Sequence, residues 1–258
     1  MLNQVVEWIA QRERGVVAAA LGLIIVLAWA FLLAGARMDM SDMSGMRHAG
    51  PEGGARFVIV FVMWAVMMVA MMLPSAAPTI LLFAALMRSR ATISTLPATA
   101  IFAGAYVVVG AAFSVVAATA HWALQRVELV SAEMRSTSGV LGGLLLVAAG
   151  VYQLTPLKDA CLGRCRSPIL FLTRHWRPGP AGALRVGLLH GAYCIGCCWA
   201  LMGLLFVAGV MNLLWVAAMA VFVLMEKMAF LGTRFGRVAT GASLMVAGAV
   251  VLAVAWVR

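Results

Sequence analysis

Seven stretches of apolar residues, each bounded by charged or turn-forming positions, divide the chain. They cover approximately 16–36, 57–73, 98–124, 138–155, 182–208, 211–231 and 236–257, and the second runs on to 87 if a helix passes through Pro74 and Pro78. Most approach or exceed the roughly 20 residues that carry an α-helix across a hydrocarbon layer, and none shows the two-residue alternation of a strand. The pattern predicts an all-α integral membrane protein, a bundle of about seven transmembrane helices forming a single polytopic domain over 1–258. A kinked helix through the two prolines is tolerable in lipid where neighbouring groups satisfy the freed carbonyls. The first stretch has a second reading. Arg12 and Arg14 precede it, and Ala34-Gly-Ala36 has the form of a signal-peptidase site. Its apolar run is longer than a usual signal core, which favours a retained anchor; cleavage would leave six helices.

Composition reinforces the membrane assignment. Apolar residues make up 64% of the chain, mean hydropathy is +1.03 and only 11% of residues are charged, whereas a soluble domain carries about 25%. The net charge of +10 is not a nucleic-acid signature, because the arginines sit in short segments between apolar runs, against lipid headgroups. Sorting the 19 lysines and arginines by side gives 13 with the N-terminus and 6 opposite. That bias orients the N-terminus and the 156–181 loop to the cytoplasm and the 37–56 loop to the outside, in a bacterial inner membrane facing the periplasm.

Within this frame, sulfur stands out. His190, Cys194, Cys197 and Cys198 are offset by four, three and four residues, so on a helix they share one face within an arc of roughly 100°. Soft thiolates beside an imidazole are the donor set of a Cu(I) or zinc site. Free cysteine is also a common small core residue, so packing accounts for any one of them singly. The outward loop carries Met38, Met40, Met43, Met46 and then His48, among Asp, Ser and Gly. Thioethers bind Cu(I) without ionising and suit an oxidising compartment; the competing reading is a linker rich in methionine. Met63, Met67 and Met71 repeat every four residues in the second stretch, as core filler or as a thioether relay. Cys161 and Cys165 form a CxxxC between Pro156 and Pro168, with lysine and arginine close by in sequence that favour the thiolate. Glu226, with Lys227 next to it, is the carboxylate predicted within an apolar span. It is either functional or one half of a pair that snorkels to the interface. His121 reads as an interfacial histidine and His175 as a solvated one.

Three segments together resemble a bacterial family of predicted metal-binding integral membrane proteins, a domain-of-unknown-function family whose members are sometimes named copper chaperones. The first runs from Met63-Trp64 to Leu73-Pro74 and Pro78. The second is Tyr152-Gln153-Leu154-Thr155-Pro156-Leu157-Lys158 with Cys161, Cys165, Arg166 and Pro168. The third is Gly191 to Met202 followed by Gly209, Met211, Glu226 and Lys227. The resemblance spans about 57–231 and implies a multi-helix metal-binding membrane protein; the Met-rich outward loop lies outside it.

The leading expectation is a membrane copper-handling protein. It binds Cu(I) through Cys, His and Met and delivers or translocates it without ATP, since no G-x-x-x-x-G-K-[ST] loop occurs. The copper would pass to or from a partner metalloprotein, and thioethers argue for copper over zinc. Two alternatives stand beside it. One is a membrane copper-dependent oxidase or monooxygenase, or its metal-supply subunit, which four scattered histidines support poorly. The other is a membrane thiol–disulfide relay built on Cys194-Ile-Gly-Cys197. The reading leans away from an enzyme.

Overall fold

The structure is a computed structural model and describes residues 2–37, 54–90, 95–127, 138–209, 212–228 and 232–257. The proposed methionine site of Met38, Met40, Met43, Met46 and His48 lies outside the described residues. The elements are α1 (Leu2–Arg37), α2 (Gly54–Arg90), α3 (Thr95–Arg126), α4 (Gly139–Leu154), α5 (Pro156–Arg166), α6 (Pro168–His175), α7 (Gly179–Gly203), α8 (Leu205–Ala208), α9 (Leu213–Met228) and α10 (Arg234–Val257). The all-α expectation holds.

The expected seven spans are not all of full length. Arg14–Gly35, Phe57–Arg88, Thr95–Arg126, Gly179–Val207 and Arg234–Val257 are long and apolar enough to cross a membrane. A sixth arises if α4 and α5, bent by 65° at their junction, count as one broken span. Helix α9 has 16 residues, or about 24 Å at the α-helical rise, which falls short of a hydrocarbon layer of roughly 30 Å.

Helix α2 continues through Pro74 and Pro78, so the longer of the two predicted extents is the observed one. The prolines remove two backbone donors. Ser75 bonds locally here, donating its hydroxyl to the Met72 carbonyl at 2.8 Å. The segment expected as a long loop at 156–181 is helical over α5 and α6. The α4–α5 bend follows from Thr155-Pro156. Pro156 cannot continue α4 but suits the first turn of α5. Thr155 serves both helices, donating its hydroxyl to the Tyr152 carbonyl at 2.8 Å and accepting from the Lys158 amide at 3.3 Å.

Two close helix pairs fix the geometry around this bend. Helices α4 and α10 run antiparallel with their glycines matched. A Cβ at Gly150 would lie 2.7 Å from the Gly241 carbonyl oxygen, and one at Gly248 would lie 2.8 Å from that of Gly143. Small residues of this kind let membrane helices pack backbone to backbone. In α7, a Cβ at Gly187 would lie 2.8 Å from the Phe102 carbonyl oxygen of α3, so α7 sits hard against α3. The buried interior of the bundle is built from Trp64, Met67, Met71 and Ile80 of α2, Phe102 of α3 and Leu172 of α6. Outward faces of α1 and α10 stay apolar and exposed, as at Val26 and Val246, the surface expected against lipid.

Candidate metal centre

Helix α7 presents His190, Cys194, Cys197 and Cys198 on one buried face, as the spacing predicts, and each is at most 2% exposed. The thiols of Cys197 and Cys198 both donate to the Cys194 carbonyl, at 3.0 and 3.1 Å, which binds them back along the helix. All five cysteines are free.

The CxxxC segment comes to this face. The side chain of Cys165 of α5 comes close enough to Cys194 and Cys197 of α7 to interact with both electrostatically. Cys161, one turn earlier, packs where α7 has no side chain: its Sγ lies 3.0 Å from the position a Cβ at Gly196 would occupy. Tyr152 donates its hydroxyl to the Gly196 carbonyl from the other side of the α4–α5 bend. Gly196 is therefore where α5 and the α4–α5 bend meet α7, and a Cβ there would require the Cys161 sulfur to shift by a few tenths of an ångström.

Sequence proximity suggested that the arginines beside the CxxxC supply the positive charge for the thiols. Arg164 interacts electrostatically with Cys161, and among the described residues the cation in hydrogen-bond contact with a thiol is Lys227 of α9, whose Nζ lies 2.7 Å from the Cys194 Sγ and 2.9 Å from the Ser75 hydroxyl. Arg164 stacks its guanidinium over Tyr193 at 4.3 Å. Glu226 and Lys227, neighbours in sequence, do not pair with each other or snorkel outward, and both are buried. Glu226 accepts two bonds from Lys158 Nζ, at 2.8 and 2.9 Å, and one from Gln153 Nε2 at 2.9 Å. This network ties α9 to both sides of the α4–α5 bend and sets the height at which Lys227 meets Cys194.

His190 is held by its Nδ1, which pairs with the Tyr106 hydroxyl of α3. Its Nε2 is buried with no hydrogen-bond partner. A buried imidazole with one nitrogen fixed and the other left open is how histidine is prepared as a metal ligand. Among the described residues, no group of three or more His, Cys, Asp or Glu side chains is already spaced as a metal site. What the residues offer is a soft donor set of thiols and an imidazole on α7 with cysteines of α5 beside it, the donor chemistry suited to Cu(I).

The remaining expected residues fall elsewhere. Met67 and Met71 are fully buried in the apolar core and Met63 is half-buried. His121 is buried and stacked on Phe206 with ring centroids 6.1 Å apart. His175 is exposed, stacks on Phe171 at 4.5 Å and pairs its Nδ1 with the Phe171 carbonyl at 3.0 Å. Sequence reasoning assigned no role to Lys158, Gln153, Tyr106 or Ser75. The available signal was the Tyr152–Lys158 segment, in which a proline break precedes a lysine that turns inward.

The family PpoB2, described as copper chaperone, matches residues 61–251. No curated protein and no solved structure matches the chain. The family match takes in α3 to α9, most of α2 and most of α10, and so every residue of the centre just described. The chain belongs to this copper chaperone family.

Proposed function

We propose that this member of the copper chaperone family holds Cu(I) at the α5–α7 thiol cluster, through Cys194, Cys197 and Cys165 with His190 and Cys198 at its margin, and passes it on without ATP. The observation that carries the reading is the buried face of His190, Cys194, Cys197 and Cys198 on α7, with the Lys227 ammonium against Cys194 and the half-buried Cys165 of α5 beside it. Two distant segments of the chain bring cysteines to the same side of α7, and a buried ammonium lies against one of them.

Charge supports the same reading. With two of the three sulfurs ionised and the third kept as a thiol, the Cu(I) assembly carries one net negative charge, and the Lys227 ammonium beside Cys194 offsets it. A neutral assembly avoids the cost of an isolated charge in a low-dielectric interior. Histidine adds a neutral donor without changing this balance. We further propose that the protein lies in a bacterial plasma membrane with its N-terminus cytoplasmic, following the lysine and arginine bias. Its partner would be a copper-accepting protein that exchanges ligands with exposed thiols or thioethers.

The test is a Cu(I) competition titration against a chromophoric chelator, without oxygen, on detergent-purified protein. Cys165→Ser should weaken binding by roughly tenfold or more, because a soft ligand is lost. Cys161→Ser, whose sulfur packs on Gly196, should change it much less. Equal effects of the two substitutions, or none, would remove the cross-helix site. Stoichiometric thiol oxidation with no copper affinity would move the function to the thiol–disulfide relay, which the same Cys165 contacts also permit.

A further inference from the structure

A cleft of about 340 Å³ opens laterally between α1, α2 and α3. Its walls are apolar, from Leu27 and Phe31 of α1 and Gly110 of α3, but it also contains two thioethers, Met68 and Met72. These two sit one turn apart on α2 and, like Met67 and Met71, are buried, at 2% and 4% exposed. The inner wall of the cleft is Tyr106, the residue whose hydroxyl holds His190 Nδ1. Met72 has a second link inward: its carbonyl accepts from Ser75, and Ser75 accepts from Lys227, which contacts Cys194. Two chains of hydrogen bonds thus run from residues that line the cleft to the buried face of α7, one from Tyr106 to His190 and one from Met72 through Ser75 and Lys227 to Cys194.

We infer that this cleft is the path by which Cu(I) reaches the thiol cluster, with Met68 and Met72 as its ligands on the way. The inference rests on the copper-holding reading above and adds the route. An uncoordinated monovalent cation is strongly disfavoured in an apolar cleft within the bilayer. Thioethers solve this without introducing charge, because they bind Cu(I) as neutral soft donors and release it to thiolates, which bind more strongly. Two thioethers at i and i+4 lie on the same strip of helix, so an ion can pass from one to the next. The cleft lies on the side of α1 that leads toward its C-terminal end: Phe31 is six residues from Arg37, or about 9 Å along the helix. Copper collected at that end has a short course to Met68. The sequence offered Met63, Met67 and Met71 as core filler or as a thioether relay; the methionines that line this cleft are Met68 and Met72.

The test follows the rate of copper uptake separately from its extent. Full-length protein in lipid nanodiscs is mixed without oxygen with the coloured Cu(I)–bicinchoninate complex, and loss of colour is followed in time. Met68→Leu/Met72→Leu, a nearly volume-conserving change, should reach the wild-type final stoichiometry roughly tenfold more slowly, since the barrier to transit rises when the ligands are lost. Ala111→Leu, which narrows the cleft from α3, should also slow uptake. Met67→Leu/Met71→Leu should load at the wild-type rate. Wild-type rates in the Met68/Met72 variant, as expected of a cleft that only accommodates a lipid chain, would overturn the route. So would a wild-type rate in the Ala111 variant, or a reduced final stoichiometry in the Met68/Met72 variant. Absence of copper uptake by the wild-type protein would instead overturn the thiol site itself, and the route with it.

Discussion

Replacing Lys158 by methionine should be among the most damaging single changes in this protein, although the residue touches no proposed copper ligand. The Lys158 side chain is fully buried and that of Glu226 is 2% exposed, with Nζ within 2.9 Å of both carboxylate oxygens. Lys158→Met leaves the carboxylate buried with one remaining neutral donor, Gln153. Breaking a buried pair by removing one partner costs about 3–5 kcal/mol, because the other charge is left uncompensated. That is roughly a hundred- to several-thousand-fold in the folded-to-unfolded ratio. Glu226→Gln should cost a similar amount from the other side. Gln153→Leu removes one hydrogen bond to a charged group and should cost about 1.5–3 kcal/mol. The double variant Lys158→Met/Glu226→Leu leaves no orphaned charge and should recover much of what either single variant loses. Denaturation from mixed micelles by increasing SDS, read by tryptophan fluorescence, measures all four. Single-variant losses under about 1 kcal/mol, or a double variant as unstable as the sum of the singles, would refute a buried, coupled pair.

Other expectations follow from the same structure. Gly150→Ala places a Cβ 2.7 Å from the Gly241 carbonyl oxygen and should cost about 1–3 kcal/mol in the same assay as α4 and α10 are forced apart. Gly104→Ala, with nothing within 4 Å, should be neutral or slightly stabilising. Tyr106→Phe frees His190 Nδ1 and should weaken Cu(I) affinity by roughly 10- to 100-fold, the usual effect of losing a group that orients a ligand histidine; an unchanged affinity would exclude His190 as a ligand. Dibromobimane, fluorescent once it bridges two thiols, should label Cys197→Ser/Cys198→Ser protein by joining Cys165 to Cys194. A further Cys165→Ser change should abolish the signal and Cys161→Ser should leave it.

The parts of this centre that sequence made legible are those carried by a single helix. The spacing of His190, Cys194, Cys197 and Cys198 defines a face through helical periodicity alone, and the structure buries that face. What could not be read is what faces it. Cys165 arrives from a segment whose charge and prolines suggest a loop, and its helical conformation depends on Thr155-Pro156 stopping one helix and starting another. Glu226 and Lys227 are adjacent, which invited pairing them, but successive residues on a helix point about 100° apart. Their separate partners, Lys158 and Cys194, become visible only when α5, α7 and α9 are packed together. The methionines show the same limit. A four-residue period groups Met63, Met67 and Met71, yet periodicity cannot tell a face turned to the core from one turned to a cleft. The glycine pairs of α4 and α10 likewise carry meaning only when both helices are present.

The central claim is that thiols from α5 and α7 together hold Cu(I), and X-ray absorption at the copper edge of anaerobically loaded, detergent-purified protein tests it most directly. The account predicts a first shell of two or three sulfurs in the wild-type protein, lost in Cys194→Ser/Cys197→Ser/Cys198→Ser and reduced by one sulfur or replaced by nitrogen or oxygen in Cys165→Ser. Copper bound through nitrogen and oxygen in the wild-type protein, or a sulfur shell that survives the triple substitution, would contradict it.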